Sequence, residues 1–145
     1  MMTGENPFTP VDQELAPVLE ELRLREPAFH TQGFGRTPEE FARSTAADYW
    51  EVGASGRVYN RELILELARK TPEHFVDASQ AGWQAEDFGL LQLGPETYLI
   101  TYALDQNGRL THRASIWRRE QDRWKIVYHQ GTIVSDEEMK RLHAE

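Results

Sequence analysis

Between Asp12 and Leu22 the apolar residues Leu15, Val18, Leu19 and Leu22 recur at intervals of three and four, the spacing that lines one face of an α-helix. Asp12 stands where an N-cap belongs, and the helix is expected to end near Pro27 or shortly beyond, with Gly33 and Gly35 in the loop that follows. "TPEEFARSTA" carries a Thr cap, Pro at the first helical position and Glu close behind, which predicts a short second helix. The pattern then changes period. "DYWEVGASGRVYNRE" sets aromatic residues and Val on either side of a Gly-Ala-Ser-Gly turn and reads as two extended pieces forming a hairpin or bend. Asn60 can cap a third helix, "RELILELARK", which ends before Pro72.

Beyond "HFVDASQAG", four segments rich in aromatic and β-branched residues follow in series: Trp83–Leu93, Glu96–Leu104, Arg109–Arg119 and Arg123–Val134. They read as an antiparallel meander. Asn107-Gly108 is its strongest hairpin signal, because both central residues of a type I′ turn need a positive φ. "SDEEMKRLHAE" closes the chain as a short charged helix or tail. The expected fold class is α+β, three N-terminal helices packed on a curved antiparallel sheet, forming a cone whose mouth can hold a small molecule. Residues 1–11 read as an arm that Phe8 can anchor, 12–135 as the domain, and 136–145 as the C-terminal helix or tail.

A two-residue loop at Asn107-Gly108 pairs Gln106 with Arg109, Tyr98 with Trp117 and Thr101 with Ala114. A similar turn at Gln121-Asp122 sets Ala114 opposite His129 and Ser115 opposite Tyr128. One face then carries Tyr98, Ile100, Tyr102, Ser115, Trp117, Ile126, Tyr128 and Gln130. The other carries Leu99, Thr101, Ala103, His112, Ala114, Ile116, Val127, His129 and Gly131. The small side chains of the second face leave room for a helix or ligand, so it is assigned to the inside of the cone. The aromatic face is assigned to self-association. A single β-bulge would carry Ser115 and Trp117 to the inner face, so both sets stay candidates.

Composition narrows the function. The 145 residues suit one domain, and a chain of this size buries roughly 70% of its unfolded surface. Sixteen Lys+Arg against 24 Asp+Glu give a net charge of −8, which disfavours nucleic acid and anionic membranes as partners. With no cysteine there is no disulfide, thiol nucleophile or thiolate metal site, which fits a reducing, cytoplasmic setting. The N-terminus shows neither the basic nor the apolar region of a signal peptide.

The chemistry concentrates in "WKIVYHQGT", where an apolar strand ends on His129, Gln130, Gly131 and Thr132. His129 beside a pocket can serve as a general acid or base, as a hydrogen-bond donor to a ligand, or as a satisfied core group. His112 shares its expected face, and Glu51 could complete a metal site with the two histidines, but no ligand spacing supports one and no metal or cofactor is expected. Glu51 needs a partner, which Arg61 across the Gly turn can supply as a structural ion pair. The expected ligand-binding set is Trp50, Glu51, Thr101, Tyr102, His112, Ser115, Trp117, His129, Gln130 and Thr132, with His129 the candidate catalytic group. "GASG" lacks the spacing of a nucleophile elbow, and "DFG" at Asp87 stands without the other kinase elements. Arg109, Arg113, Arg118, Arg119, Arg123 and Lys125 fall mainly at strand ends and turns, where they are expected to be solvated or paired with the acidic excess.

"YWEVGASGRVYNRE" together with "RASIWRREQDRWKIVYHQGT" resembles the DUF4440 family of the NTF2-like superfamily, which also holds SnoaL-like and ketosteroid isomerase-like enzymes. The likeness runs from the first helix to Val134. The Trp-Arg-Arg run, turn and Trp-led strand also look like the association domain of calcium/calmodulin-dependent kinases. The resemblance implies a cone-shaped α+β barrel, a pocket between sheet and helices, and dimers through the sheet. The Asp base and Tyr/Asp oxyanion donors of the ketosteroid isomerases have no match here, so that chemistry is not implied. The scaffold hosts many functions. Two remain: a small-molecule-binding and homodimerisation module, or an isomerase, dehydratase or hydrolase using His129. The absence of paired carboxylates, a triad or a cofactor fingerprint favours the first.

Overall fold

The computed structural model describes residues 12–29, 38–70 and 82–144. The arm at 1–11, the Thr37 cap, the loop containing Gly33 and Gly35, and most of the segment after α3 lie outside them. Asp12 accepts a hydrogen bond from the Glu14 amide and opens a 3-10 turn, Gln13–Leu15, that leads into α1, Ala16–Phe29. Helix α2 spans Pro38–Ser44, with proline in the first turn, where its missing N–H costs no bond. Helix α3 spans Arg61–Lys70 and is capped as its sequence predicts, the Asn60 side chain accepting from the Leu63 amide at 2.8 Å. The charged C-terminal segment is a helix, α4, Asp136–His143, capped by Ser135. The described residues thus hold four α-helices, three before the meander and one after it. None is long and apolar enough to cross a membrane.

The strands are β1 Thr45–Val52, β2 Val58–Asn60, β3 Gln84–Gly94, β4 Thr97–Gln106, β5 Arg109–Glu120 and β6 Arg123–Ile133. They form one curved, unclosed sheet in the order β2-β1-β6-β5-β4-β3. All neighbours are antiparallel except β1 and β6, which run parallel. Asn107 and Gly108 have φ of 59° and 97°, and Gln121 and Asp122 have 51° and 64°. Both tight turns therefore lie where the sequence places them, and the register between β4 and β5 follows: Gln106 opposite Arg109, Thr101 opposite Ala114, Tyr98 opposite Trp117.

Between β5 and β6 the expected register fails at one residue. Trp117 pairs with Ile126 as a two-residue turn demands, but Ile116 pairs with Tyr128, leaving Val127 as a bulge. Beyond it Ser115 faces His129 and Ala114 faces Gln130. The slip inverts every later side chain of β6. His129 and Gly131 thereby join Ser115 on one face, while Tyr128 and Gln130 go to the other.

The face assignment is corrected as well. Tyr98, Ile100, Trp117, Trp124 and Ile126 are buried with Leu22, Phe41, Tyr49, Leu65 and Leu90 in one core, against which Leu15, Val18, Leu19, Ala42, Ile64 and Phe88 pack. The aromatic face is thus the inner one, and Leu99, Thr101, His112, Ala114 and Ile116 lie outside. The physical reason is volume. The space between a curved sheet and three helices must be filled to interior density, and large rings do this where small residues would leave voids. Phe88 reaches the same layer through an irregularity in β3 at Asp87, whose φ is 58°, and stacks on Tyr102 at 5.0 Å between ring centroids.

Candidate functional site

Strand register arranges the inner face in rows. One row runs Ile100, Ser115, His129, Glu51 across β4, β5, β6 and β1; the next runs Tyr102, Arg113, Gly131. A face made mostly of aromatic and aliphatic side chains concentrates its charged groups in these two rows.

At their centre lies a residue from α1. Glu26 is 0% exposed, and its carboxylate accepts hydrogen bonds from Tyr102 Oη–H at 2.8 Å and Trp117 Nε1–H at 2.9 Å, one on each oxygen. Ser115 is a further hydrogen-bond partner. Burial is the leading influence and pushes the Glu26 carboxyl above the ordinary glutamate range; the bonds from Trp117, Ser115 and Tyr102 and the charge of Arg113 pull it back. The same burial, with the Glu26 charge beside it, drives the Tyr102 phenol well above its usual range.

Ser115 links this carboxylate to His129. Its Oγ lies 2.6 Å from His129 Nδ1, and the histidine is 1% exposed. A serine hydroxyl has one proton. When Ser115 donates it to ionised Glu26, its oxygen accepts from His129 Nδ1–H, which places the lone pair of the neutral imidazole on Nε2.

Glu51 holds the far end of the row. Tyr49 donates to Glu51 Oε1 at 2.9 Å, and burial raises the Glu51 carboxyl above its ordinary range against the opposing effects of Tyr49 and Arg113. The expected Glu51–Arg61 ion pair does not form. Arg61 instead donates to Thr45 Oγ1 at 2.9 Å and to the Ala42 carbonyl at 2.8 Å, tying the end of α2 to the start of β1. The arginine that opens α3 is taken up by α2 and the start of β1, and Glu51 by Tyr49, a choice of partners that sequence proximity across a turn does not reveal.

Of the expected site residues, the inner face gathers Glu51, Tyr102, Ser115, Trp117 and His129. Trp50, Thr101, His112, Gln130 and Thr132 belong to the outer side: Trp50 packs on Tyr128 at 4.6 Å between centroids, and His112 and Thr132 are exposed register partners. His112 and His129 therefore stand on opposite faces. Among the described residues no three or more His, Cys, Asp or Glu side chains cluster as metal ligands would.

Glu26, Tyr49 and Arg113 are absent from the sequence-derived set. For Glu26 a signal existed. It lies four residues after Leu22, so it continues the stripe Leu15, Val18, Leu19, Leu22 that faces the core, and an acid at a core position of a helix marks a buried carboxylate.

No protein-family model matches the chain, and no curated protein matches it. Solved structures do. A proposed calcium/calmodulin-dependent kinase II association domain from Exiguobacterium sibiricum is 16% identical with a TM-score of 0.57, the alignment covering 91% of this chain and 98% of that one. A protein of unknown function from the DUF3225 family of Pectobacterium atrosepticum is 16% identical with a TM-score of 0.62, covering 91% and 100%. An NTF2-like protein of unknown function in nutrient uptake from Rhodospirillum rubrum is 19% identical with a TM-score of 0.55, covering 82% and 98%. At these identities the likeness is one of fold, and the fold is NTF2-like.

Proposed function

We propose that this chain is a small-molecule-binding and homodimerisation module of DUF4440 type, holding its ligand between the inner sheet face and α1. The observation that carries the reading is the row of half-buried Glu51 and buried His129 and Ser115, with buried Glu26 against it. Leucines of similar volume would fill a core without the desolvation penalty of two carboxyls. Groups of this kind on the inner face of a cone are suited to orienting a polar ligand. The cysteine-free composition suits a reducing, cytoplasmic setting.

Self-association is assigned to the outer face. Register places Leu91, Leu99, Ile116, Tyr128 and Trp50 side by side across β3, β4, β5, β6 and β1. Trp50 is 46% exposed, and an apolar row of this length on an open sheet favours a second copy over water.

One observation supports an enzyme as the second reading. The Ser115 hydroxyl stands between a buried carboxyl and an imidazole, a path along which a proton can move between two groups that exchange protons.

A thermal-shift screen of metabolites tests the main reading, each hit being repeated on His129→Ala and Ser115→Ala. Loss of the ligand-induced shift in both variants, with their own melting temperatures lowered by no more than a few degrees, is the expected result. Variants that melt far lower yet keep the full ligand shift would make the row a structural network and end the ligand reading.

A further inference from the structure

Of the basic residues in the run from Arg109 to Lys125, Arg109, Arg118 and Arg119 have partners at strand ends and turns, and Arg113 is placed differently. Arg118 pairs with Glu120 and Asp48, and Arg119 with Glu21 and Glu96. Arg109 is exposed and bonded to Gln106. Arg113 instead lies half-buried on the inner face, in the row next to Ser115, His129 and Glu51.

Two contacts hold its side chain. Arg113 Nε–H donates to Thr111 Oγ1 at 2.8 Å, and Thr111 is itself fully buried. The guanidinium rests against Gly131 so closely that a Cβ at position 131 would sit 2.5 Å from Nη1 and 2.8 Å from Cζ. Position 131 therefore admits no side chain while the arginine lies there. The glycine of "YHQGT" supplies room for a guanidinium rather than for a ligand directly.

The outer fork of this guanidinium is open. Among the described residues no carboxylate forms a salt bridge with it, and its hydrogen bond to Thr111 uses Nε alone. Glu26 and Glu51 act on it through space and not by contact. Its Nη groups are not among the buried atoms left without a partner, so a half-buried guanidinium that meets no acceptor among the described residues keeps both of them accessible to a ligand.

We propose that Arg113 is the anchor of a monocarboxylate-binding subsite: the paired Nη groups clamp the ligand carboxylate, and the ligand body extends along the row of Ser115, His129 and Glu51. This deepens the ligand-binding reading above and rests on it. A planar carboxylate matches the guanidinium fork in two parallel hydrogen bonds. Charge selects a monoanion over a phosphate dianion. Among the described residues these two rows hold one cation beside two carboxyls, and the other cation acting on it, Arg109, is exposed at the turn and engaged with Gln106.

The test uses benzoate and benzamide, which share a ring and differ in the charged fork partner, titrated into the full chain while ¹H–¹⁵N amide resonances are followed. For ligands of this size dissociation constants on the order of 1 mM are expected. Benzoate should move the resonances of Arg113, Gly131, Ser115 and His129, and bind about 10- to 100-fold more tightly than benzamide, as loss of a charge-assisted bidentate pair implies. Arg113→Gln should remove that preference. Arg113→Lys should retain charge but lose much of the affinity, and Gly131→Ala should weaken benzoate by displacing the guanidinium without changing its charge. Equal binding of both probes on the inner face, or benzoate affinity unchanged in Arg113→Gln, would overturn the subsite and leave the ligand site standing. Benzoate shifts confined to Arg118, Arg119 and other exposed cations would overturn it as adventitious. No inner-face response to either probe would overturn both readings. The comparison of probes on the unaltered protein needs no variant to fold.

Discussion

Replacing Glu26 by alanine is expected to be among the most damaging single substitutions in the chain. The change removes the acceptor of Tyr102 Oη–H and Trp117 Nε1–H and of Ser115, all on buried residues. A donor left without an acceptor costs about 1 to 3 kcal/mol. The two hydroxyls can rotate toward other acceptors and the indole cannot, so the sum is about 3 to 5 kcal/mol, at the top of the range for point changes. At roughly 3 °C per kcal/mol for a chain of this size, the melting temperature should fall about 10 to 15 °C. Glu26→Gln keeps one acceptor and the volume, and should cost about 1 to 2 kcal/mol. Urea titration and calorimetry measure both, with exposed Glu20→Ala as the control, expected within about 0.5 kcal/mol of wild type. The pH dependence is a second readout. Burial raises the folded-state pKa of Glu26 above its unfolded value, so the stability linked to this group is full below the unfolded pKa and is lost as pH rises through the folded one. The wild-type advantage over Glu26→Gln should therefore shrink as pH climbs above the ordinary glutamate range. A Glu26→Ala protein as stable as Glu20→Ala, with a parallel pH profile, would refute the reasoning.

Asn60→Ala removes the cap on the Leu63 amide and should cost about 1 kcal/mol, read as a small drop in the urea midpoint at unchanged slope; no change would mean that the cap is not made in solution. Deleting Val127 removes the extra residue of the bulge and leaves Ile126 opposite Trp117, Tyr128 opposite Ile116 and His129 opposite Ser115, so it should cost no more than about 1 to 2 kcal/mol and keep the near-ultraviolet circular dichroism of the packed aromatics. A deletion variant that loses the dichroism and about 3 kcal/mol or more would show that β6 runs without a bulge, because the missing residue would then turn His129 and Gly131 outward. Ile116→Lys, at the middle of the outer row, should convert a dimer to a monomer in sedimentation; a wild-type monomer at micromolar concentration would remove the self-association proposal.

Much of the fold was legible because its markers are local. Asn107-Gly108 and the turn at Gln121-Asp122 carry positive φ at all four positions, so counting outward from them gives the right partners as far as Trp117 and Ile126. Val127 carries no such marker. A valine bulge looks like any other strand residue, and only the three-dimensional demand that His129 meet Ser115 distinguishes it. The parallel pairing of β1 with β6 joins segments far apart in sequence, where no turn chemistry acts. The inner and outer faces come out exchanged because small residues on a strand suggest a cavity, whereas filling the space under three helices requires the large ones. Within the site, His129, Ser115, Tyr102, Trp117 and Glu51 were found by residue type, and Glu26 was hidden among leucines whose period it continues.

The accounting of donors and acceptors on the inner face separates a closed part from an open one. Glu26 takes bonds from Tyr102, Trp117 and Ser115, Ser115 meets His129, and Tyr49 meets Glu51. Each bond fixes a rotamer, and fixed rotamers pre-organise whatever lies beside them. Arg113 lies beside them, held by Thr111 and Gly131 at positions that do not neutralise its charge. Acidic groups that touched the guanidinium would convert it into a buried ion pair with nothing left for a ligand. Carboxyls held back by Tyr49, Tyr102 and Trp117 leave the fork open and still lower the energy of the buried cation through space. On this reading the hydrogen bonds of the tyrosines and tryptophan do more than satisfy two carboxyls: they keep those carboxyls off the arginine. Lengthening one leash, as Tyr49→Phe does by releasing Glu51, should let the glutamate compete for the fork and weaken benzoate without any substitution at Arg113 itself.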